Sequence, residues 1–115
     1  FEVGAPVLSA PRIGLAGSVE VSVTVRNTGQ RVGDEVVQVY VRDEVASVTQ
    51  PVKRLAGFER VTLAPGETRT VRITLDRRAF AMWNRRMEEV VEPGRFTIMA
   101  GANSAELKTA TLEIA

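Results

Sequence analysis

The side chains in this sequence that could do chemistry are mostly carboxylates. Asp34-Glu35 and Asp43-Glu44 bracket one alternating run, and Glu88, Glu89 and Glu92 form a third acidic group. A pair of carboxylates can split a glycosidic bond when the two lie roughly 5–10 Å apart. The first two pairs are separated by an extended segment that spans about 30 Å at ~3.3 Å per residue. No single sugar bridges that gap. Either pair could still meet a carboxylate from another loop, but the simpler reading is solvated loop charge. The third group could attract Ca²⁺, yet it lacks the Asp/Asn-Gly alternation of a calcium loop. Ser47, Thr49 and Ser104 have no histidine to activate them, because the chain contains none. A Ser–Lys arrangement with Lys53 has no supporting motif. Gly14 and Gly17 lack the following Gly, Lys and helix of a phosphate cradle. The basic cluster Arg77, Arg78, Arg85 and Arg86 surrounds Trp83. Such a cluster can bind single-stranded nucleic acid, and an exposed indole can stack on a sugar. With aromatics at 5% of the chain few rings are free for a platform. Trp83 is therefore expected to plug one end of the fold, with Phe80 and Met87 beside it.

Composition narrows the field further. The 115 residues fit one domain, with 44% hydrophobic and 25% charged residues. A net charge of +1 gives no electrostatic case for nucleic acid or for an anionic membrane surface. Thirteen of the fifteen cations are Arg, a bias consistent with genomic base composition. There is no Cys, hence no disulfide and no thiolate. Apolar runs are too short to span a bilayer, so no membrane insertion is expected. No metal or cofactor is expected. Residue 1 is Phe, so the chain reads as a piece of a longer protein whose compartment it does not itself reveal.

Period-2 alternation dominates the elements. Val19, Val21, Val23 and Val25 alternate with Glu20, Ser22, Thr24 and Arg26, which predicts a half-buried strand. Asn27-Thr28-Gly29 then breaks the run with residues that tolerate positive φ. Val37, Val39 and Val41 form one face of a second strand. Its other face, Val36, Gln38, Tyr40 and Arg42, is partly apolar and is expected to be covered. Residues 43–52 form a loop closed by Pro51. Residues 53–63 read as a strand with a break at Gly57. Ala64-Pro65-Gly66-Glu67 is a turn: Pro fixes φ at its first corner and Gly supplies φ > 0 at the next. Val71, Ile73 and Leu75 face inward on another strand. Residues 76–87 hold the only helix-like stretch, near 77–86, with Asp76 as N-cap. Glu92-Pro93-Gly94 is a further turn, Phe96, Ile98 and Ala100 alternate again, and Leu107 to Ile114 is the last strand. About seven strands with regular turns predict an all-β, antiparallel two-sheet sandwich of the immunoglobulin or fibronectin type III kind over residues 1–115. Connections are too short for βαβ crossovers.

One feature has no place in a lone sandwich. Tyr40 on the apolar outer face, the Pro51 loop, the Lys53-Arg54 pair, Leu55 and Phe58 together suggest an interaction surface. Phe58 could alternatively belong to the core.

The run VRNTGQRVGDEVVQVYVRDEVASVTQPVKRLAGFERVTLAPGETRTVRITLDRRAFAMWN, residues 25–84, with VEPGRFTIMAGANSA, residues 91–105, resembles the C-terminal fibronectin type III-like domain of glycoside hydrolase family 3. The bacterial periplasmic β-glucosidase type is the nearest likeness, and it covers nearly the whole chain. The resemblance implies a β-sandwich and a parent that hydrolyses terminal β-D-glucosyl residues. In that family the nucleophile Asp and the acid/base Glu lie in other domains, and no carboxylate of this sequence matches their motifs. It further implies that the sandwich packs on and stabilises the catalytic domains of the same parent chain, with a homodimer contact as a further partner. The parent is expected to be periplasmic or secreted, with a cytoplasmic parent as the alternative. The docking face is expected at Tyr40, Pro51, Lys53, Arg54, Leu55 and Phe58. The rival class is a carbohydrate-binding or cell-surface adhesion module. That class needs two or three coplanar exposed aromatics, against one Trp and one Tyr here.

Overall fold

The computed structural model describes residues 1–15, 17–43, 54–83, 86–87, 89–91, 94–102 and 107–114, without the side chains of Asp43, Met82, Trp83, Glu89 and Val90. Along the chain these residues form β1 (Glu2–Val3), β2 (Val7–Leu8), β3 (Arg12–Ile13), β4 (Val19–Arg26), β5 (Gly33–Asp43), β6 (Arg54–Leu63) and β7 (Thr68–Leu75). A single helical turn α1 (Arg77–Phe80) follows, then β8 (Met82–Trp83), β9 (Glu89–Val90), β10 (Gly94–Gly101) and β11 (Lys108–Ile114).

The alternating runs become the paired strands. β4 is buried at Val19, Val21, Val23 and Val25 and turns its other side outward. It pairs along its whole length with β7, from Val19 opposite Leu75 to Arg26 opposite Thr68. β1 and β2 complete that sheet by pairing with β4. The second sheet has the order β3-β11-β10-β5-β6. All its pairings are antiparallel except the short parallel one between β3 and β11. The inner faces meet in one core of valines, leucines and isoleucines plus Phe80 and Phe96. The two phenylalanine rings sit edge to face, with centroids 5.2 Å apart. Fully burying one such side chain stabilises a fold by about 1.5–3 kcal/mol, so this interface is the main source of cohesion.

Among the described residues the sandwich therefore holds nine strands in its two sheets, against the about seven expected. The difference is mainly the N-terminal arm. Its three ladders are two residues long and are interrupted by Gly4, Pro6 and Pro11, so no period-2 signal exists to read. The arm crosses from one sheet to the other between β2 and β3. The helical stretch is also shorter than 77–86. Asp76 does cap it, accepting from Arg78 N at 2.9 Å, but Ala81 is already extended and β8 begins at once. Phe80 is buried as expected, whereas Met87 is 76% exposed and belongs to no plug. The side chain of Trp83 lies outside the described residues.

Two local devices shape the edge of the larger sheet. The turn after β6 is as read: Gly66 stands at φ +76°, and Glu67 N donates to Ala64 O at 3.0 Å. The break at Gly57 is a β-bulge. Val39 faces Gly57 and Tyr40 faces Leu55, so Ala56 is the extra residue. A Cβ added at Gly57 would lie 2.7 Å from Ile73 Cγ2, so the absent side chain lets β6 approach β7 across the sandwich. No helix among the described residues is long and apolar enough to cross a membrane.

Candidate functional site

The bulge decides which side chains share the outer face of the β5–β6 hairpin. Leu55 and Phe58 are three residues apart, and simple alternation would put them on opposite faces. The extra residue restores the parity. Leu55 stands opposite Tyr40, and Phe58 opposite Gln38, both partners on the outward row of β5. Phe58 is 67% exposed and Leu55 49%. The alternative placement of Phe58 in the core is thereby excluded. Tyr40 is half-buried, and its hydroxyl donates to Gln38 Oε1 at 2.5 Å. Gln38 in turn donates to Ala102 O at 3.2 Å, which anchors this row to the end of β10. Met99, opposite Tyr40 on β10, is only 5% exposed. The solvent-facing apolar patch is thus concentrated on the β6 side.

Charges flank it. Arg60, opposite Val36, binds the Asp34 carboxylate through both Nε and Nη2, and Thr62 Oγ1 donates to the same carboxylate at 2.7 Å. The Thr62 hydroxyl, then the Arg60 guanidinium, hold the Asp34 carboxyl below its usual range. Asp34 is thereby placed as a surface ion-pair partner. Arg54 stands at the head of β6, and its Nη2 donates to Ala79 O at 2.7 Å and Ala81 O at 2.5 Å. A cleft of about 430 Å³ opens beside it, lined by Arg54, Leu55, Thr74, Asp76, Arg78 and Ala79 among others. Pro51, Lys53 and the 44–52 part of the loop lie outside the described residues, so of the six expected docking residues four are placed. Tyr40, Leu55 and Phe58 are brought together, whereas Arg54, opposite the inward Val41, turns to the other side of β6 and bonds α1.

The other outer face contrasts with this one. β4 and β7 turn Glu20, Ser22, Thr24, Arg26, Thr70, Arg72 and Thr74 to solvent, with Arg72 and Glu20 3.6 Å apart. Apart from Val7 on β2 that face is polar. Among the described residues no group of three or more Asp, Glu, His or Cys is close enough to hold a metal ion.

Sequence reasoning missed Asn27. It was expected to act through a positive φ, but its backbone is ordinary and its side chain does the work. Asn27 is the one polar residue among those described that is buried, at 1% exposure. Its Nδ2 donates to Arg31 O at 2.8 Å and to Leu63 O at 2.9 Å, and its Oδ1 accepts from Gly29 N at 2.9 Å. Its main chain bonds Glu67 O and Gly66 N. One residue thus ties the β4–β5 connection to the end of β6 and the turn into β7. Only the choice of Asn at a strand end, read as a side-chain turn former, could have signalled this.

Comparison with known proteins agrees with the motif resemblance. A family model described as a fibronectin type III-like domain matches residues 35–104. A periplasmic β-glucosidase of Salmonella typhimurium is 43% identical over 99% of this chain, and a β-xylosidase of Formosa agariphila is 48% identical over 99%. Among solved structures, a β-glucosidase from Erythrobacter marinus superposes with a TM-score of 0.95 at 40% identity over 99% of the chain. A β-glucosidase from Listeria innocua, in complex with gluconolactone, does so at 0.92 and 36%. The chain spans only 15–16% of the length of these proteins. It corresponds to one domain-sized segment of such larger glycosidases. The chain belongs to the fibronectin type III-like domain family.

Proposed function

We propose that residues 1–115 form a single, non-catalytic accessory domain of a family 3 glycoside hydrolase, of the β-glucosidase type that acts on terminal β-D-glucosyl residues. The domain docks on the catalytic domains of the same parent chain and stabilises them. The parent works in the periplasm or outside the cell, in line with the compartment named for the Salmonella relative. The docking face is the outer side of β5–β6, with Tyr40, Leu55 and Phe58 at its centre, Pro51 and Lys53 at its edge, and Arg54 at the head of β6.

The observation that carries this reading is Phe58. A phenylalanine 67% exposed in mid-strand, beside a half-exposed leucine, is costly for a free surface and useful for a covered one. Covering both side chains would contribute about 2–4 kcal/mol, enough to couple two domains. The matched relatives extend far beyond the 15–16% that corresponds to this chain, so a longer parent has surface available to cover these side chains. Phe58→Asp should leave the melting of the 115-residue chain within about 0.5 kcal/mol of the parent value, as for other surface changes. In the full-length hydrolase the same change should lower thermal stability and separate the melting of the sandwich from that of the catalytic part. If the intact enzyme tolerates both Phe58→Asp and Tyr40→Asp without loss, the docking assignment is wrong. Retention of the isolated chain on insoluble glucan would instead favour a carbohydrate-binding module.

A further inference from the structure

Exposed apolar side chains are not confined to the hairpin. The most exposed large hydrophobic among the described residues is Met87, at 76%. It lies in the segment that joins β8 to β9, two ladder pairs beyond the root of that ribbon. Its backbone stands at φ +62°, and no other described non-glycine residue has a positive φ. Glycine or asparagine would occupy such a position with less strain. A methionine here accepts a strained backbone and gains no burial within the chain. Strain at an exposed tip points to a constraint from outside the fold.

The root of the ribbon is fixed beside the hairpin. Ala81 immediately precedes β8, and its carbonyl, with that of Ala79, accepts from Arg54 Nη2. Arg54 is the first residue of β6 and the neighbour of Leu55. Arg54 stands opposite Val41 on the inward row, so its guanidinium ties the head of β6, from the side opposite Leu55, to the strand that leads into the ribbon carrying Met87.

We infer that Met87 is a second apolar anchor of the interdomain surface, seated in an apolar recess of the catalytic domains of the same parent chain, and that Arg54 is the residue that positions it relative to Leu55 and Phe58. The inference rests on the docking reading above. Its occupant follows from length: relatives matching 99% of this chain have only 15–16% of their own sequence in the match, so a large attached surface is available. An unbranched thioether suits an irregular recess better than a branched side chain does.

Methionine oxidation tests this directly. Dilute hydrogen peroxide converts an accessible thioether to the sulfoxide. Met87 and Met99 are followed by mass spectrometry in the 115-residue chain and in the full-length hydrolase that contains it. Met99, 5% exposed, is the buried control. Met87 should react about ten-fold more slowly in the full-length protein, at every protein concentration, once its thioether is covered. Equal rates in the two samples overturn the inference. Protection that appears in the isolated chain as concentration rises assigns the anchor to a second copy and also overturns it. Hydroxyl-radical labelling of Phe58 in the same samples separates the two readings. Protection of Phe58 without protection of Met87 refutes this inference and leaves the hairpin docking intact, whereas exposure of both refutes both. In the full-length protein, Arg54→Gln should restore Met87 oxidation while Met99 stays protected, and Arg54→Lys should fall between. If Arg54→Gln speeds both methionines equally, Arg54 serves only the stability of the sandwich and the positioning role is wrong.

Discussion

Replacing Asn27 by alanine should be among the most destabilising single changes on the polar side of this fold. The amide donates to Leu63 O, buried at the end of β6, and to Arg31 O, and it accepts from Gly29 N. Alanine removes the amide donor from the buried Leu63 carbonyl, a loss of about 1–3 kcal/mol. The two outer bonds can be partly replaced by water, and their loss adds about 0.5–1 kcal/mol each. The sum is roughly 2–5 kcal/mol, a large part of the 5–15 kcal/mol that holds an average domain together. For a domain near this size the melting temperature should fall by about 8–20 °C. Far-UV circular dichroism on heating reads this out. Asn27→Asp sharpens the argument. An ionised Asp can still accept from Gly29 N but cannot donate to Leu63 O or Arg31 O, and it faces two carbonyl dipoles in a buried site. Its pKa would therefore be raised on folding. A raised folded pKa means that the neutral form is favoured: the variant is least destabilised below the unfolded value of about 3.9 and loses stability as pH rises toward the folded value. Melting at pH 4 and pH 7.5 should show a greater deficit at pH 7.5. An Asn27→Ala variant within about 0.5 kcal/mol of the parent, or an Asn27→Asp deficit that does not change with pH, would show that the amide donors do not hold the two turns together.

The remaining expectations concern the same edge of the sandwich. Gly57→Ala should cost about 1–3 kcal/mol, since the new methyl meets Ile73 Cγ2 at 2.7 Å, and a double-mutant cycle with Ile73→Ala should recover part of that loss. Gly66→Ala should cost about 1 kcal/mol by urea denaturation, because the left-handed backbone at φ +76° disfavours a side chain. Asp34 and Glu67 both titrate below their usual values, Asp34 chiefly through the Thr62 hydroxyl and Glu67 chiefly through Ala64 N. Lowered folded pKa values give stability that is present above the unfolded pKa and lost as pH falls through the folded one. Urea midpoints measured between pH 2 and pH 5 should therefore drop less steeply in the Asp34→Asn, Glu67→Gln double variant, and an unchanged slope would remove these contacts from the acid limb.

What the sequence made legible follows from the range of the interactions that carry it. β4, β5, β7 and the first half of β10 could be read because each buries one face more than the other, and burial writes a period-2 code along the strand itself. The turn at Ala64–Glu67 could be read because its geometry depends on Pro65 and Gly66 alone. The N-terminal arm could not, because a two-residue ladder is too short to show a period. Asn27 could not be read as a buried clamp, since its partner Leu63 lies far along the chain. The candidate site falls between these cases. Tyr40, Leu55 and Phe58 were legible as an excess of apolar side chains, but their common face was not, because it depends on where β6 gains a residue against β5.

That extra residue is the point at which fold and proposed function meet. Without the bulge at Ala56, Leu55 and Phe58 would face opposite ways, and one of them would compete for the space now closed by the Gly57–Ile73 approach. With it, the inward row of β6 carries Gly57, the exposed Glu59, Val61 and Leu63, and both larger apolar side chains are turned to the outside. A bulge on an edge strand also discourages pairing with a stranger's strand, as does Glu59, opposite the inward Val37. The edge is thus closed to β-sheet extension while the adjoining face offers aromatic and aliphatic surface. Such a combination suits contact through side chains rather than through backbone addition, and it favours docking against the irregular surface of another domain over growth of the sheet.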